Sequence, residues 1–133
     1  MYSTSLTIEF IVSLLIVILC GSIVGYERQK HSKIIGVRTC ILIILGSFVF
    51  THISTFVGGD PSRIISQIVS GIGFVGAGII FKNGLNDIRH LTTAVLVWTL
   101  AALGCLIALQ VYKQALLITV LIFLILKFKI IKL

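Results

Sequence analysis

The stretch DPSRIISQIVSGIGFVGAGIIF, residues 60 to 81, decides the fold. Gly71, Gly73 and Gly76 within it spell G-x-G-x-x-G, the fingerprint of a dinucleotide-binding loop. That fingerprint requires a strand and a tight turn before it. Neither precedes it here, and Ile64 to Phe81 is uncharged and close to the length that crosses a bilayer. Glycine in such a segment serves close packing, because the missing side chain lets two backbones approach. The stretch reads as a membrane helix with a thin face.

Composition extends that reading to the whole chain. Of its 133 residues, 58% are hydrophobic and 11% are charged, against about 25% charged in soluble domains. So few charges cannot cover a water-facing surface, which makes the class an all-α polytopic membrane protein in contact with lipid. The formal net charge is +7, but the cations fall between apolar runs rather than on one soluble face, which excludes nucleic acid as a partner. The first apolar run lacks a basic leader and a small-residue cleavage site, so it is expected to remain as a span. Cys20, Cys40 and Cys105 all lie inside apolar runs. An odd number with no short spacing argues against a disulfide framework or a zinc site, and the three read as packing thiols.

The apolar runs are Leu6–Gly25, Thr39–Val57, Ile64–Phe81, Leu91–Leu109 and Ala115–Leu126. The first four have the length of a span. The fifth is shorter and crosses only if it extends over residues 112–131, with Tyr112 anchoring one end while Lys127 and Lys129 snorkel at the other. The predicted fold is a bundle of about five transmembrane helices. Arg28, Lys30, Lys33 and Arg38 follow the first run, Lys82 and Arg89 the third, and Lys127, Lys129 and Lys132 the fifth. The alternate connections hold only Arg63 and Lys113. The positive-inside rule then predicts an outside N-terminus and a cytoplasmic C-terminus, which requires an odd number of crossings. No inverted internal repeat of the transporter kind is evident.

At 100° per residue, Ser66, Ser70, Gly73 and Ala77 form one ridge of small residues on the third helix. Gln67, Gly71 and Gly78 form a second strip beside it. Two thin strips predict a helix gripped between neighbours at the bundle centre, or exposed on one side as a dimer or partner interface. The same strips are also compatible with a conduction path. Asp60 is a good N-cap and Pro61 suits the first helical position. Arg63 in the first turn opposes the helix dipole and is expected to pair with a carboxylate, Asp60 being nearest.

Only four carboxylates exist, Glu9, Glu27, Asp60 and Asp87. Mg²⁺ keeps much of its water and can be held weakly by one or two carboxylates. Asp60 is therefore the candidate metal ligand, and no other cofactor is expected. Glu27 and Arg38 flank the first connection and are expected to pair across it. His31 reads as a solvated loop histidine. His52 lies in a polar patch near one end of the second run, and Trp98 reads as bulk packing in the fourth. Thr92 and Thr93 open the fourth run. Catalysis is not expected: Ile68, not glycine, stands two residues before Ser70, and no aspartate pair lies within the membrane.

Four blocks of this sequence resemble the MgtC/SapB family of bacterial inner-membrane proteins. They are Gly25-Tyr-Glu-Arg28, Gly36-Val-Arg-Thr39, Asp60-Pro-Ser-Arg63 through Val69-Ser-Gly-Ile-Gly-Phe-Val-Gly-Ala-Gly78, and Leu91-Thr-Thr-Ala94 with Trp98. The resemblance covers most of the chain and implies the family's five-span hydrophobic domain. Longer members carry a soluble cytoplasmic domain after the fifth span, which is not expected within these residues. His90 departs from the pattern, since a glycine is expected before Leu91. The resemblance further implies a non-enzymatic inner-membrane protein linked to growth at low magnesium, to survival of pathogens inside host cells and, in some members, to restraint of the proton-translocating ATP synthase. It implies action by binding another membrane protein, with homodimers or higher oligomers as a further form of association. The alternative is a small Mg²⁺ transporter or channel lined by Asp60, Arg63, Gln67 and the glycine strip.

Overall fold

The computed structural model describes residues 4–81 and 90–128. Five helices follow one another: α1 (Thr4–Lys30), α2 (Val37–Ser54), α3 (Ser62–Phe81), α4 (Leu91–Ala108) and α5 (Tyr112–Lys127). The first four are long and apolar enough to cross a membrane. The fifth has 16 residues, or about 24 Å at 1.5 Å per residue. Lys82, Asp87, Arg89, Lys129 and Lys132 lie outside the described residues.

Helix α1 outruns its apolar segment, continuing from Gly25 through Glu27 and Arg28 to Lys30. Its end is a Schellman turn. The Lys33 amide donates to the Arg28 carbonyl at 3.0 Å, the Ser32 amide donates to the Gln29 carbonyl at 3.1 Å, and Ser32 takes a left-handed φ of 52°. The same device ends α4. There Val111 donates to Leu106 and Gln110 to Ile107, both at 3.0 Å, with Gln110 at φ 61°. That turn reverses the chain within three residues, so α4 and α5 lie antiparallel.

Helix α4 touches all four others and is the centre of the bundle. Half of its span is buried, against 6% for α3. The expectation that α3 lies at the centre is therefore corrected. Lipid is as apolar as a protein interior, so a thin face does not reveal whether it points inward or outward. Ile65, Ile68, Ile72 and Ile79 of α3 are half-buried, while Ser66, Ser70, Gly71, Gly73, Ala77 and Gly78 are exposed. The isoleucines face the bundle and the small ridge faces away, on a surface it shares with the exposed Val69, Phe74 and Val75.

The closest helix contacts lie elsewhere. A Cβ on Gly25 would overlap Val37 Cα, and one on Gly21 would stand 2.8 Å from Ile41 Cα, so α1 and α2 meet backbone to backbone. On the other side of α2, a Cβ on Gly104 would overlap Ser47 Oγ and the Ile44 carbonyl oxygen. Around these contacts pack Val17, Cys20, Val24, Ile44, Phe48, Val97, Leu100 and Leu103, each at most 1% exposed. Cys20 and Cys40 are buried and unpaired, as packing thiols are. Cys105 is partly exposed and accepts a hydrogen bond from Thr51 Oγ1 at 3.3 Å. Trp98 departs from the expected packing role: it lies 54% exposed on the outside of α4.

Helices α1 and α5 run parallel. Near their starts Ser13 Oγ and Tyr112 Oη share a hydrogen bond of 2.7 Å, and Gln110 Nε2 donates to Glu9 Oε2 at 3.2 Å. Near their ends Glu27, Arg28, Leu126 and Lys127 surround one cavity. The start of α2 packs on Gly25, so Arg28, Lys30, Lys33, Arg38 and Lys127 share one end of the bundle. Arg63 and Lys113, at the starts of α3 and α5, share the other.

Gly25→Ala and Gly104→Ala should each lower stability by about 3 kcal/mol, the upper range for overpacking. Gly46→Ala, where no atom lies within 4 Å of the added methyl, should be neutral or should stabilise by up to about 1 kcal/mol through helix propensity. Thermal unfolding in one detergent, with the three variants side by side, measures the contrast; equal midpoints would remove the backbone contacts as its cause.

His90 precedes α4 at φ 65° and ψ 19°, in the region where an L side chain is strained. The glycine expected there has a conformational reason. His90→Gly should raise stability by as much as about 1 kcal/mol, and His90→Val should lower it by about 1–2 kcal/mol; the same unfolding measurement reads both.

Candidate functional site

Three polar or open regions lie on this frame. The first is the start of α3. Asp60 Oδ1 accepts the Ser62 amide at 2.9 Å and Oδ2 accepts the Ser62 hydroxyl at 2.6 Å. This is the side-chain cap the sequence predicts, with Pro61 filling the first helical position. The Ser62 hydroxyl, then its backbone N–H, hold the Asp60 carboxyl below the usual carboxylate range. Both carboxylate oxygens are committed to Ser62, and Arg63 forms no ion pair with Asp60 among the described residues. The expected Asp60–Arg63 pair is corrected: the cap turns the carboxylate toward the backbone, and Arg63 projects from an exposed turn.

The second region is α3 itself. Between α2 and α3 runs an apolar groove of about 440 Å³, walled by Gly46, Ser47 and Phe50 on one side and by Gln67, Gly71 and Val75 on the other. Gly46 and Gly71 open it, since a Cβ on either would meet nothing within 4 Å. Gly73 and Gly78 are equally open on the outer surface. Gly76 is the buried one: a Cβ there would lie 3.5 Å from the Ala94 carbonyl oxygen and 3.8 Å from Ala94 Cβ. Within a single chain the packing glycine of α3 is thus Gly76, not Gly73. Gln67 joins the groove, while Ser66, Ser70, Gly73 and Ala77 form an outward ridge.

The third region is the end of α1. Glu27 is 4% exposed and Arg28 is 5% exposed. Glu27 accepts the Nδ1–H of His31 on Oε2 at 2.7 Å, and its carbonyl oxygen shares that proton at 2.9 Å. The expected Glu27–Arg38 pair does not form, and Arg38 is exposed. Because α1 continues past Gly25 to Lys30, His31 lies in the exposed turn just beyond it, four residues from Glu27 and within reach of its carboxylate. Thr93 is buried at the start of α4 and Thr92 is exposed. His52 belongs to an aromatic cluster, its ring centroid 5.0 Å from Phe10, 5.7 Å from Phe48 and 4.7 Å from Phe56. Among the described residues no three of His, Cys, Asp and Glu gather in one place.

A family model described as MgtC family matches residues 14–131, a range that contains the glycine-rich third helix, its capped start and the Glu-Arg end of the first helix. The chain belongs to the MgtC family. It is similar to Protein MgtC of Brucella abortus (strain 2308), 45% identical over 104 residues that cover 77% of this chain and 43% of the relative. It is also similar to Protein MgtC of Salmonella typhimurium (strain LT2), 42% identical over 118 residues covering 88% of this chain and 51% of the relative. The chain spans about half the length of the curated relatives it matches. No solved structure matches it. Within this MgtC-family bundle, sequence reasoning passed over Gly21, Gly25, Gly104 and the burial of Arg28. Residues 21–25, GSIVG, are themselves a G-x-x-x-G, the signal that marks close helix crossings.

The lowered pKa of Asp60 sets a pH window. Its folded value lies below the unfolded one, so the cap's stabilisation is complete above the usual Asp range near pH 3.9 and is lost as pH falls through the lower folded value. Protection of the Ser62 amide, its exchange rate taken relative to that of an unstructured chain at the same pH, should therefore hold at neutral pH and be lost only below that range. Asp60→Asn keeps a capping oxygen and should flatten this dependence, while Asp60→Ala should expose the amide at every pH.

Proposed function

We propose that this chain is a non-enzymatic, multi-pass protein of the bacterial inner membrane, linked to magnesium limitation or intracellular survival, that acts by docking a helix of another membrane protein against α3. One observation carries this reading: a ridge of small residues on α3, Ser66, Ser70, Gly73 and Ala77, points away from the bundle while its isoleucines and Gly76 face it. A surface meant only for lipid gains contact from bulky side chains. A ridge of Ser66, Ser70, Gly73 and Ala77 instead leaves backbone bare, and that is what a close-packed partner helix requires. The flanking groove, opened by Gly46 and Gly71, offers space for one or two of the partner's side chains. Family membership supports the physiological setting, and the resemblance offers the proton-translocating ATP synthase as the partner to test first.

Gly73→Leu should leave the monomer's stability within about 0.5 kcal/mol of the parent, because Gly73 is exposed and an added Cβ meets nothing within 4 Å. It should nevertheless abolish growth at limiting magnesium together with site-directed crosslinking from Ser70 to the synthase. Gly76→Leu should lower the midpoint itself, because Gly76 is buried against Ala94, where a Cβ alone already reaches van der Waals contact and the rest of a leucine must displace it. A Gly73→Leu strain that grows and crosslinks like the parent would count against docking on this face. Mg²⁺ flux through liposomes holding only the purified chain would favour a carrier instead.

A further inference from the structure

We propose that the cavity at the shared end of α1 and α5 is a binding site for a phosphate group. Arg28, Lys33, Lys127, His31 and Glu27 line a space of about 400 Å³, closed on its apolar side by Leu126. The lysines alone have a simpler account. They follow the C-terminal turns of two helices, where cations complement the helix dipole. Arg28 has no such account. Its side chain is 95% buried by virtue of being only 5% exposed, and its Nε donor finds no partner among the described residues. Glu27, one residue away, already has its carboxylate committed to His31.

A buried guanidinium with its Nε–H left unpartnered is costly, and the group is among the best recognisers of phosphate oxygens through its planar fork of donors. Lys33 and Lys127 add charge on the open side; Lys127 is steadied by the Phe123 ring 5.8 Å away. With Glu27 paired to His31, the three full cations leave the cavity positive. Its place, at the end of a membrane-crossing helix, is the level of lipid headgroups. The shared chemistry is therefore a phosphate, carried either by an anionic lipid headgroup or free in solution.

The full chain is to be placed in nanodiscs of phosphatidylcholine mixed with phosphatidylglycerol, and the lipid it retains on extraction measured by native mass spectrometry. In parallel, inorganic phosphate is titrated in phosphatidylcholine nanodiscs while thermal unfolding is followed. Preferential retention of phosphatidylglycerol assigns the site to a headgroup, and stabilisation by inorganic phosphate assigns it to the free ion; either supports a phosphate site. Lys33→Gln with Lys127→Gln should weaken the effect roughly 30-fold, at about one interfacial charge's worth per lysine. Lys30→Gln, which removes a charge from the same helix end without lining the cavity, should change it by no more than about twofold. Because Arg28→Gln alters a buried residue and can fail for reasons of folding, the lysine pair carries the test. Equal retention of both lipids with no response to phosphate, or a lysine pair that behaves like Lys30→Gln, overturns the proposal.

Discussion

The structure depends on backbone contact of α2 with α1 and with α4. In a membrane no hydrophobic gain draws one apolar helix to another, since lipid solvates both equally well. What remains is dispersion, which falls away within a fraction of an ångström, and a few hydrogen bonds. Gly21 and Gly25 bring α1 against Ile41 and Val37, and Gly104 brings α4 against Ser47 and Ile44. Each glycine lets a larger residue of α2 fill the space its own side chain would occupy. The buried residues Val17, Val24, Ile44, Phe48 and Leu100 then gather around a frame already set by these crossings.

That frame explains why α3 differs from its neighbours. With α2 and α4 locked together, α3 needs only one face to stay in place, and its isoleucine side and Gly76 supply it. Everything else on the helix is free of structural duty. The surplus of small residues on that free side is the part of the chain least accounted for by folding, which is why the functional reading rests there. The Asp60 cap reinforces the same division, because it starts α3 without drawing Arg63 or Gln67 into the bundle.

Helix number and approximate length were legible in the sequence, because an apolar run of span length with cations at its ends has one economical solution in lipid. The direction each face points was not. Hydropathy separates water from oil, but both sides of α3 are oil, and residue size then becomes the only cue. Size misled at Gly73 and would have informed at Gly21 and Gly25, where a four-residue glycine spacing lay unused. The Asp60 cap was readable because its chemistry is local, reaching two residues along the chain. The partners of Glu27 and Arg63 were not, because they turn on where a helix stops. Ending α1 at its last apolar residue assigned Glu27 to Arg38; the helix runs on to Lys30, and His31 in the exposed turn beyond it takes Glu27 instead.

That extra turn of helix also sets the charge at this end of the bundle. It lifts Glu27 and Arg28 out of the apolar run yet keeps them on the buried side of α1, where α5 closes over them. A chain that needed only topology signals would leave its cations in water, as Lys30 and Arg38 are left. Burying Arg28 costs solvation that the described protein does not return, since its neighbouring carboxylate is spent on His31. The opposite end of the bundle shows the contrast. There Asp60, at the start of α3, is exposed and hydrogen-bonded by its own turn through both oxygens, and asks for nothing further. The unbalanced charge of this bundle therefore lies at the joint end of α1 and α5, and its open packing surface lies on α3. The two belong to different helices and different chemistries, so a loss at one need not carry a loss at the other.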